Sequence, residues 1–437
     1  MAMSSPSVWL TTLGCAKNQV DSDKVSGLLE AVGFRMSSSP EDADIVMVNT
    51  CAFIGEARRE SIGAILDAEQ FMRPDARLVV LGCMAQRYGG EISDAIPEVD
   101  AVVGIDRYPE LVETLAKMTD WQPVALQRSP MAILHEVRRT SPAMPYAYLK
   151  IAEGCDKGCT FCAIPSFRGR QQSRPAAEIA AEAAGLVKEG VTELVLVAQD
   201  LAAYGHDTRD PDGITGLVHR IARTPGLHRL RLLYLYPSEI RAALIDEIVS
   251  NPVVATYFDL SLQHAEPKLL RAMARPGGGE RYLSLIGRIR AAAPEAALRS
   301  SFIVGFPGET ETDVQTMADF LEAARLDWAG FFPYSAEEGT PAALLPARVD
   351  PIEVTERARH LQRIQERITA ERQVGRVGEV VDVLVDQVED GVAVGRSFRE
   401  APEIDGMITL DRGAQGSWVR AKISGAYGPD LEGEVQE

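Results

Sequence analysis

The chain has 437 residues, 46% hydrophobic and 25% charged, a composition typical of globular proteins with several domains. Its formal net charge of −18 repels phosphate backbones, which disfavours tight unassisted binding of nucleic acid and suits a basic partner, although charge alone is explained as well or better by simple solubility. Because the N-terminus MAMSSPSVWL lacks the basic start and apolar core of a signal peptide, and no apolar run could span a bilayer, we expect a cytoplasmic protein without membrane association.

The first quarter of the chain alternates between strand and helix patterns. Four apolar runs are typical of buried parallel strands: Val8–Leu13, Ala43–Val48, Arg77–Leu81 and Ala101–Gly104. Amphipathic stretches follow the first three and predict helices near Gln19–Val32, Ile54–Phe71 and Ala85–Ile96. This alternation predicts an α/β domain over residues 1–125, built on a small doubly wound parallel sheet.

Each of the first three predicted strands runs directly into a cysteine. The runs LTTLGC, IVMVNTC and LVVLGC end at Cys15, Cys51 and Cys83. Because ligand sites of open α/β sheets lie at the carboxyl ends of the strands, we expect these cysteines on one edge of the sheet. Three thiols there could bind metal, but buried strand-end cysteines are also common core residues.

A second series of strands and helices begins after a polar stretch at Gln127–Pro145. The candidate strands are Tyr148–Ala152, Glu193–Ala198, Leu230–Leu235, Tyr257–Leu262, Leu298–Val304 and Trp328–Pro333. Helical patterns separate them. This series predicts a partial (βα)6 barrel, short of the eight units of a closed barrel, over residues 141–370.

Residues that could take part in catalysis or ligand binding follow all six of these strands, at the end where barrel enzymes carry their active sites. In strand order they are Cys155, Gln199 with Asp200, Tyr236, Gln263 with His264, Gly305–Glu309, and Tyr334. This coincidence predicts a functional site on the carboxyl side of the barrel.

The C-terminal part of the chain has a different sequence pattern. A charged helix at about Pro351–Gln373 leads to short β-rich pieces from Glu379 onward, namely VVDVLVD, VAVGRS, MITL and SWVRAKISGA. Gly, Pro and Asp separate these pieces. The pattern predicts a small antiparallel, OB-like β-barrel of about five strands over residues 373–437.

A second group of cysteines, Cys155, Cys159 and Cys162, has C-x3-C-x2-C spacing on one short loop. Three thiolates can hold three irons of a 4Fe–4S cluster and leave the fourth iron open for a substrate or cofactor. A zinc site would need a fourth ligand, and the histidines nearest in sequence are His135 and His206. Together with the first group, this loop predicts two incomplete iron–sulfur sites in one chain.

The cysteine loop, with Phe161 just before its last cysteine, resembles the signature of the radical S-adenosylmethionine superfamily. The resemblance implies that the open iron binds S-adenosylmethionine and that an electron from the reduced cluster cleaves it to a 5′-deoxyadenosyl radical. Gly305 and Pro307, in IVGFPGE, resemble the adenosyl-contacting strand end, although an ordinary turn fits equally well. Gln199 and Asp200 either bind the methionine or ribose part of the cofactor or cap a helix.

Nearly the whole chain resembles the methylthiotransferases of that superfamily. The similar segments are TLGCAKNQVDS (12–22), NTCAF (49–53), LGCMAQRY (81–88) and EGCDKGCTFCAIPSFRGRQQSRP (153–175), and the C-terminal barrel resembles the TRAM domain. The resemblance implies that Cys15, Cys51 and Cys83 bind an auxiliary 4Fe–4S cluster, and that Cys155, Cys159 and Cys162 bind the radical cluster. One S-adenosylmethionine would methylate a sulfur attached to the auxiliary cluster. A second would be cleaved to the radical that takes a hydrogen atom from an unactivated carbon, and the carbon radical would then capture the methylthio group.

Two branches of this family compete: enzymes that modify adenosine in transfer RNA, and the RimO branch, which modifies an aspartate of small-subunit ribosomal protein S twelve. The run DLSLQH resembles the RimO pattern and makes Gln263 and His264 candidate substrate-binding residues, whereas the transfer-RNA enzymes usually carry serine in place of His264. Residues 371–437 contain 7 Lys and Arg against 14 Asp and Glu, which disfavours RNA and suits a basic protein. A barrel that only braces the catalytic domain is the alternative explanation.

We therefore expect methylthiolation of the β-carbon of an aspartate, with no catalytic base assigned because hydrogen-atom abstraction needs none at the carbon. Arg168, Arg170 and Lys150 could neutralise a cofactor or substrate carboxylate, although ordinary surface positions are favoured for them. The expected partners are the ribosomal protein and an electron donor such as flavodoxin or ferredoxin. The remaining alternative is an iron–sulfur or zinc scaffold without catalysis.

Overall fold

A computed structural model of the chain describes residues 5–119, 121, 139–140 and 142–436. The chain divides into two compact units: residues 1–141 with Ala163–Arg170, and Pro142–Cys162 with residues 171–437. The segment Ala163–Arg170 therefore folds with the first unit, although it lies inside the predicted 141–370 domain. The predicted boundaries at residues 125 and 141 lie outside the described residues.

The first unit contains a five-stranded parallel sheet in the order β2-β1-β3-β4-β5. Its strands are β1 (Ser7–Thr12), β2 (Arg35–Met36), β3 (Ile45–Thr50), β4 (Arg77–Gly82) and β5 (Ala101–Val103). Its longer helices are α1 (Ala16–Ala31), α2 (Gly55–Phe71), α3 (Cys83–Ala95) and α4 (Leu111–Thr119). This order confirms the predicted doubly wound sheet, and its direction reverses between β1 and β3. The edge strand β2 was missed because two residues carry no periodicity.

A short helix, α5 (Ile164–Arg168), completes the first unit. Ala163 and Phe167 pack in one apolar cluster with Cys83, Met84 and Ala85 at the start of α3. The segment therefore belongs to the core of this unit.

The second unit holds six parallel strands in chain order. They are β6 (Tyr146–Lys150), β9 (Glu193–Val197), β10 (Arg229–Leu232), β11 (Tyr257–Gln263), β12 (Ala297–Val304) and β13 (Trp328–Pro333). Two three-stranded sheets, β10-β9-β6 and β11-β12-β13, are joined by parallel bridges at Leu230–Val254 and Leu235–Leu260. A short antiparallel pair, β7 (Ala152–Glu153) and β8 (Gln172–Ser173), flanks β6. The predicted partial barrel is confirmed.

Helices connect these strands and cover the barrel. They are α6 (Ala176–Lys188), α7 (Gly213–Ile221), α8 (Ala242–Ser250), α9 (Pro267–Ala272), α10 (Gly279–Ala292), α11 (Glu311–Ala324) and α12 (Pro351–Val374). Short 3-10 turns include Leu201–Ala203, Pro237–Glu239 and Pro341–Leu344. None of the helices in the described ranges combines the length and apolar character needed to cross a bilayer.

The C-terminal strands form a closed five-stranded barrel in the order β14-β15-β16-β18-β17. They are β14 (Val380–Glu389), β15 (Val392–Arg396), β16 (Ile408–Leu410), β17 (Trp418–Tyr427) and β18 (Asp430–Val435). The barrel is confirmed, but the prediction that it is antiparallel throughout is wrong, because β16 and β18 run parallel. Strand direction cannot alternate around a closed ring with an odd number of strands, so one parallel pair is unavoidable.

The loop between β15 and β16, Arg396–Asp405, contacts the amino-terminal ends of all six barrel strands. Four of its contacts are hydrogen bonds of 2.6–2.9 Å: Tyr146 to Glu403, Arg231 to the Phe398 carbonyl, Tyr257 to Asp405, and Trp328 to the Arg399 carbonyl. Ion pairs join Glu193 to Arg396 and Arg299 to Asp405. This end of the partial barrel is therefore closed by the C-terminal domain, so several of the acidic residues counted there are paired rather than displayed to a partner.

A fully buried carboxylate, Glu193, lies at the centre of this junction. Arg231 donates to its Oε1 over 2.8 Å, Arg396 donates to its Oε2 over 3.0 Å, and Arg229 lies 3.5 Å from Oε2. Burial acts to raise the pKa of Glu193, but the three guanidinium groups outweigh burial and bring the pKa to about 2. Because this pKa is below that of glutamate in an unfolded chain, the resulting stability is complete above about pH 4.5 and is lost as the pH falls towards 2.

Neutralising Glu193 should therefore destabilise the protein strongly. Glu193→Gln is expected to lower the free energy of unfolding by about 3 kcal/mol at pH 7 and to flatten its pH dependence between about pH 5 and pH 2. Urea unfolding followed by near-UV circular dichroism at several pH values measures both effects. The exposed Glu389→Gln is the control and should change stability by less than about 0.5 kcal/mol. Equal losses in the two variants would contradict this role of Glu193.

Candidate functional site

The three cysteines of the first unit lie at the carboxyl ends of neighbouring strands. Cys15 follows β1 and precedes α1, Cys51 follows β3, and Cys83 begins α3 directly after β4. The structure therefore brings them to one edge of the sheet, next to the point where the strand order reverses. All six cysteines of the chain are thiols without a disulfide.

A fully buried amide, Asn18, links the three strand ends. Its Nδ2 donates to the carbonyls of Leu13 (2.9 Å) and Thr50 (3.1 Å), and the Cys83 thiol donates to its Oδ1 over 3.5 Å. The residue lies within the similar segment TLGCAKNQVDS, but the sequence analysis did not single it out. Its position three residues after Cys15, on the first turn of α1, was the signal that could have found it.

Arg168, at the end of α5, places its guanidinium group against Cys83. Its Nε and Nη2 donate to Cys83 Sγ over 3.2 and 3.0 Å, and Nη2 also donates to Asn18 Oδ1 over 2.7 Å. Asp21 Oδ2 lies 3.3 Å from the same guanidinium. The prediction that Arg168 lies at the surface is wrong, because its side chain is buried. It brings positive charge to the cysteine group instead.

The pKa of each thiol in this group depends on burial, on the other thiols and on nearby cations. Burial acts to raise the pKa of Cys15, but Lys17, Arg168 and two backbone N–H groups outweigh it, so that the pKa is lowered. Burial, with contributions from Cys15 and Cys83, raises the pKa of Cys51 to about 12. Burial also raises the pKa of Cys83, against the effect of Arg168. These mutual effects place the three thiols within electrostatic reach of one another.

The donor set of this group fits a 4Fe–4S cluster. In such a cluster each thiolate binds a different iron, so the sulfurs stand farther apart than around a single ion. Among the described residues, no three His, Cys, Asp or Glu side chains are grouped closely enough for a single metal ion. Arg168 and Lys17 supply positive charge that favours the thiolate form, which iron requires.

Gly14 makes the close approach of two cysteine loops possible. Its φ is +91°, and a Cβ at this position would lie 2.6 Å from Cys51 Cβ and 2.8 Å from Cys51 Sγ. We expect Gly14→Ala to displace Cys51 and to remove about half of the iron bound by the reconstituted protein. Reductive cleavage of S-adenosylmethionine should remain, because the other cysteine group lies in a separate folding unit.

A matched control for this change is Gly63→Ala. Gly63 lies within α2 of the same unit, and no atom lies within 4 Å of the Cβ it would gain. This variant should keep its full iron content, since alanine favours a helix over glycine. Full iron content in Gly14→Ala as well would show that the glycine is not needed for the cysteine group.

The second cysteine group lies on the loop that follows β6 and β7. Thr160 fixes this loop, since its N–H donates to the Met273 carbonyl (3.1 Å) and its hydroxyl donates to the Ala272 carbonyl (2.8 Å). Arg275 Nη1 lies 3.6 Å from Cys159 Sγ. Burial raises the pKa of Cys155, although the Lys157 N–H donates to its sulfur over 3.4 Å. The partly buried Phe161 packs on the barrel core.

Several buried polar groups lie at the carboxyl side of the barrel. Within the described chain, three buried atoms here form no hydrogen bond, namely Gln199 Oε1, Arg275 Nε and the Tyr334 hydroxyl, and the buried Asp200 carboxylate forms an ion pair with Lys157. Burial raises the pKa of Asp200, against the effect of Lys157, whose Nζ lies 3.5 Å away. Buried polar atoms are rarely left unpaired, and such a group is typical of a site for a polar ligand. These residues therefore fit S-adenosylmethionine.

The other predicted cofactor and substrate residues lie on the same side of the barrel. Gly305 has a φ of +78°, and a Cβ there would lie 2.3 Å from Val354, so glycine is required by packing against α12. Pro307 is buried in the following turn. Gln263, at the end of β11, has a φ of +70°, a strained backbone conformation typical of functional sites. His264 is buried, accepts from the Glu266 N–H and lies 3.5 Å from Glu309, so its ring stabilises this turn.

Comparison with known proteins finds matching family models and proteins similar over almost the whole chain. The model of the radical SAM superfamily matches residues 149–321, that of the uncharacterized protein family UPF0004 matches residues 7–104, and that of the TRAM domain matches residues 377–435. Proteins named ribosomal protein uS12 methylthiotransferase RimO are similar over almost the whole chain. The one from Nocardioides sp. is 41% identical over 98% of this chain and 96% of its own, and that from Streptomyces coelicolor is 40% identical over 98% and 97%.

The chain belongs to the RimO family of methylthiotransferases. The predicted resemblance is thereby confirmed, and with it the class of enzyme: a radical S-adenosylmethionine enzyme that uses this cofactor and an iron–sulfur cluster. Solved structures of the radical S-adenosylmethionine methyltransferase TsrM from Kitasatospora setae share the fold at 15–16% identity. Their TM-scores are 0.57 and 0.58, covering 78% and 83% of this chain and 74% and 89% of theirs.

Proposed function

We propose that this member of the RimO family transfers a methylthio group to the β-carbon of an aspartate in ribosomal protein uS12. The observation that carries the proposal is the 41% identity over 98% of the chain to proteins named for that activity. The two cysteine groups, each at the carboxyl ends of parallel strands, support it, because the reaction needs both a radical source and a sulfur donor.

Two clusters follow from the two groups of ligands. In this proposal Cys15, Cys51 and Cys83 hold the auxiliary 4Fe–4S cluster, and Cys155, Cys159 and Cys162 hold the radical 4Fe–4S cluster. When bound, the radical cluster would supply the electron that cleaves S-adenosylmethionine, and the auxiliary cluster would present the sulfur that is methylated. Arg168 positions the Cys83 sulfur and keeps a positive charge beside it, and Asn18 holds the three strand ends together.

The barrel residues bind and shield the cofactor. Gln199 presents an unpaired oxygen, and Asp200 a carboxylate beside Lys157, to its methionine or ribose groups, while Gly305, Pro307 and Phe161 supply apolar and backbone surface around the adenosyl group. Lys157 holds the cysteine loop to Glu239 through a 2.5 Å hydrogen bond. Gln263, beside the buried His264, is the proposed contact for the substrate.

The electrons are proposed to come from a small redox protein such as flavodoxin or ferredoxin. A net charge of −18 makes nucleic acid an unfavourable direct substrate and a basic ribosomal protein a favourable one. Six cysteines without a disulfide, proposed as iron ligands, suit a reducing compartment, so the cytoplasm is the proposed location.

The substrate is tested by offering both candidates to one enzyme. The reconstituted protein is incubated with S-adenosylmethionine, dithionite, purified uS12 and unmodified transfer RNA, and both products are analysed by mass spectrometry. We expect a methylthio mass gain on one aspartate of uS12 and none on RNA. A gain on RNA alone would overturn the proposed substrate, and no gain on either with zinc in place of iron would favour the scaffold.

A further inference from the structure

The guanidinium group of Arg275 lies against the cysteine loop of the second unit. The residue follows α9 and is buried, with 6% of its surface exposed. Its Nη1 donates to Cys159 Sγ over 3.6 Å, and its Nη2 donates to the carbonyl of Ser261 in β11. The guanidinium carbon lies 4.0 Å from the centre of the Tyr236 ring. These contacts hold the cation beside one sulfur of the group proposed to bind the radical cluster.

The backbone just before Arg275 is tied to the same loop. Thr160 of the loop donates through its hydroxyl to the Ala272 carbonyl and through its N–H to the Met273 carbonyl. Ala274 has a φ of +54°, a left-handed conformation that is strained for a residue with a Cβ and that is typical of functional sites. The position of the guanidinium group relative to the cysteines is therefore set by the backbone and not only by a flexible side chain.

Arg275 forms no ion pair with a carboxylate of the residues that the structure describes, and its buried Nε forms no hydrogen bond with them. Lys157, the cation within the cysteine loop, differs in this respect, because it pairs with Glu239 and Asp200. A buried charge is costly unless an opposite charge lies close to it. The Cys159 sulfur, as a thiolate bound to iron, would be the anion that Arg275 otherwise lacks.

We propose that Arg275 is a positioning residue that holds the Cys159 sulfur and raises the reduction potential of the radical cluster. The inference rests on the proposed function, in which this loop binds that cluster. Reduction takes one electron from an external reductant such as dithionite and makes the cluster more negative by one charge, without transfer of a proton. A fixed cation beside the sulfur stabilises the more negative form, and a hydrogen bond to the sulfur acts in the same direction.

Burial decides how strongly such a charge acts on the cluster. Tyr236 is itself buried and packs against the Arg275 guanidinium, so this charge acts through a medium of low polarity. Arg271, in the last turn of α9, carries the same charge but is exposed, so solvent and salt screen it. The two arginines are four positions apart and differ in burial, which makes Arg271 a matched control for Arg275.

The test measures the midpoint potential of the radical cluster by a redox titration followed by electron paramagnetic resonance. The parent is the full chain with Cys15, Cys51 and Cys83 replaced by alanine, so that a single cluster is reconstituted. In Arg275→Gln the potential should fall by at least about 59 mV, a tenfold loss in the one-electron equilibrium, with the iron content unchanged. Arg275→Lys, which keeps the charge, should lose less than half as much, and Arg271→Gln should match the parent.

An unchanged potential in Arg275→Gln would overturn the proposal, and weaker binding of S-adenosylmethionine alongside it would assign the guanidinium to the carboxylate of that cofactor. Loss of iron from Arg275→Gln, or an equal fall of the potential in Arg275→Lys, would overturn it as well, because support of the loop alone explains both. A parent chain that binds no iron, although Cys155, Cys159 and Cys162 are intact, would instead refute the proposed function on which the inference rests.

Discussion

Cys83→Ala is expected to cleave S-adenosylmethionine reductively and yet to form no methylthio product. Cys83 is buried in the first unit between Arg168 and Asn18, and in our proposal it binds the auxiliary cluster. Its loss removes one of three thiolates and leaves the Arg168 guanidinium buried without the sulfur to which it donates. The methylthio product should fall at least about a hundredfold.

The separation of the two activities is the informative part of this experiment. The cysteines proposed to hold the radical cluster lie in another folding unit, so formation of 5′-deoxyadenosine should continue without transfer of sulfur. Liquid chromatography of 5′-deoxyadenosine and mass spectrometry of uS12 measure the two activities in one reaction. Product at the wild-type yield would refute the role of the first cysteine group in sulfur chemistry.

Cys155→Ala is expected to abolish both activities. With only Cys159 and Cys162 left on the loop, the radical cluster proposed there would lose a ligand, and no electron would be delivered to S-adenosylmethionine. No 5′-deoxyadenosine should form with dithionite or with a protein reductant, and no methylthio product should form either. The first cysteine group should still bind its iron, since its ligands and their support by Asn18 and Arg168 are untouched.

The comparison with Cys83→Ala supplies the matched control. The two variants each lose one thiolate, and they should differ only in whether S-adenosylmethionine is cleaved. Detectable 5′-deoxyadenosine from Cys155→Ala at more than about a tenth of the wild-type rate would contradict the assignment of the radical cluster to this loop.

The architecture could be predicted because it follows from local patterns. The buried strand Ile45–Thr50 begins with four consecutive apolar residues and ends in polar residues directly before Cys51, and Arg77–Gly82 ends directly before Cys83. Because parallel strands share their carboxyl edge, the position of each cysteine after a strand was enough to predict where the groups meet.

The contacts that support the site could not be predicted in this way. Arg168 reaches Cys83 across 85 positions of the chain, and Glu193 meets Arg396 across 203. The hydrophobic periodicity of the sequence does not indicate such distant pairings, so Arg168 and Lys150 were expected at the surface. Lys150 is in fact buried and donates to Glu153 over 2.8 Å. The bracing of the barrel by the loop Arg396–Asp405 depends on the same kind of distant pairing.

Iron analysis of the reconstituted chain tests the central claim, that two separate three-cysteine sites each hold a cluster. We expect about eight irons and eight acid-labile sulfides per wild-type chain, and about four of each when all three cysteines of either group are replaced by alanine. About four irons in the wild-type protein, all lost with one group and none with the other, would contradict the claim.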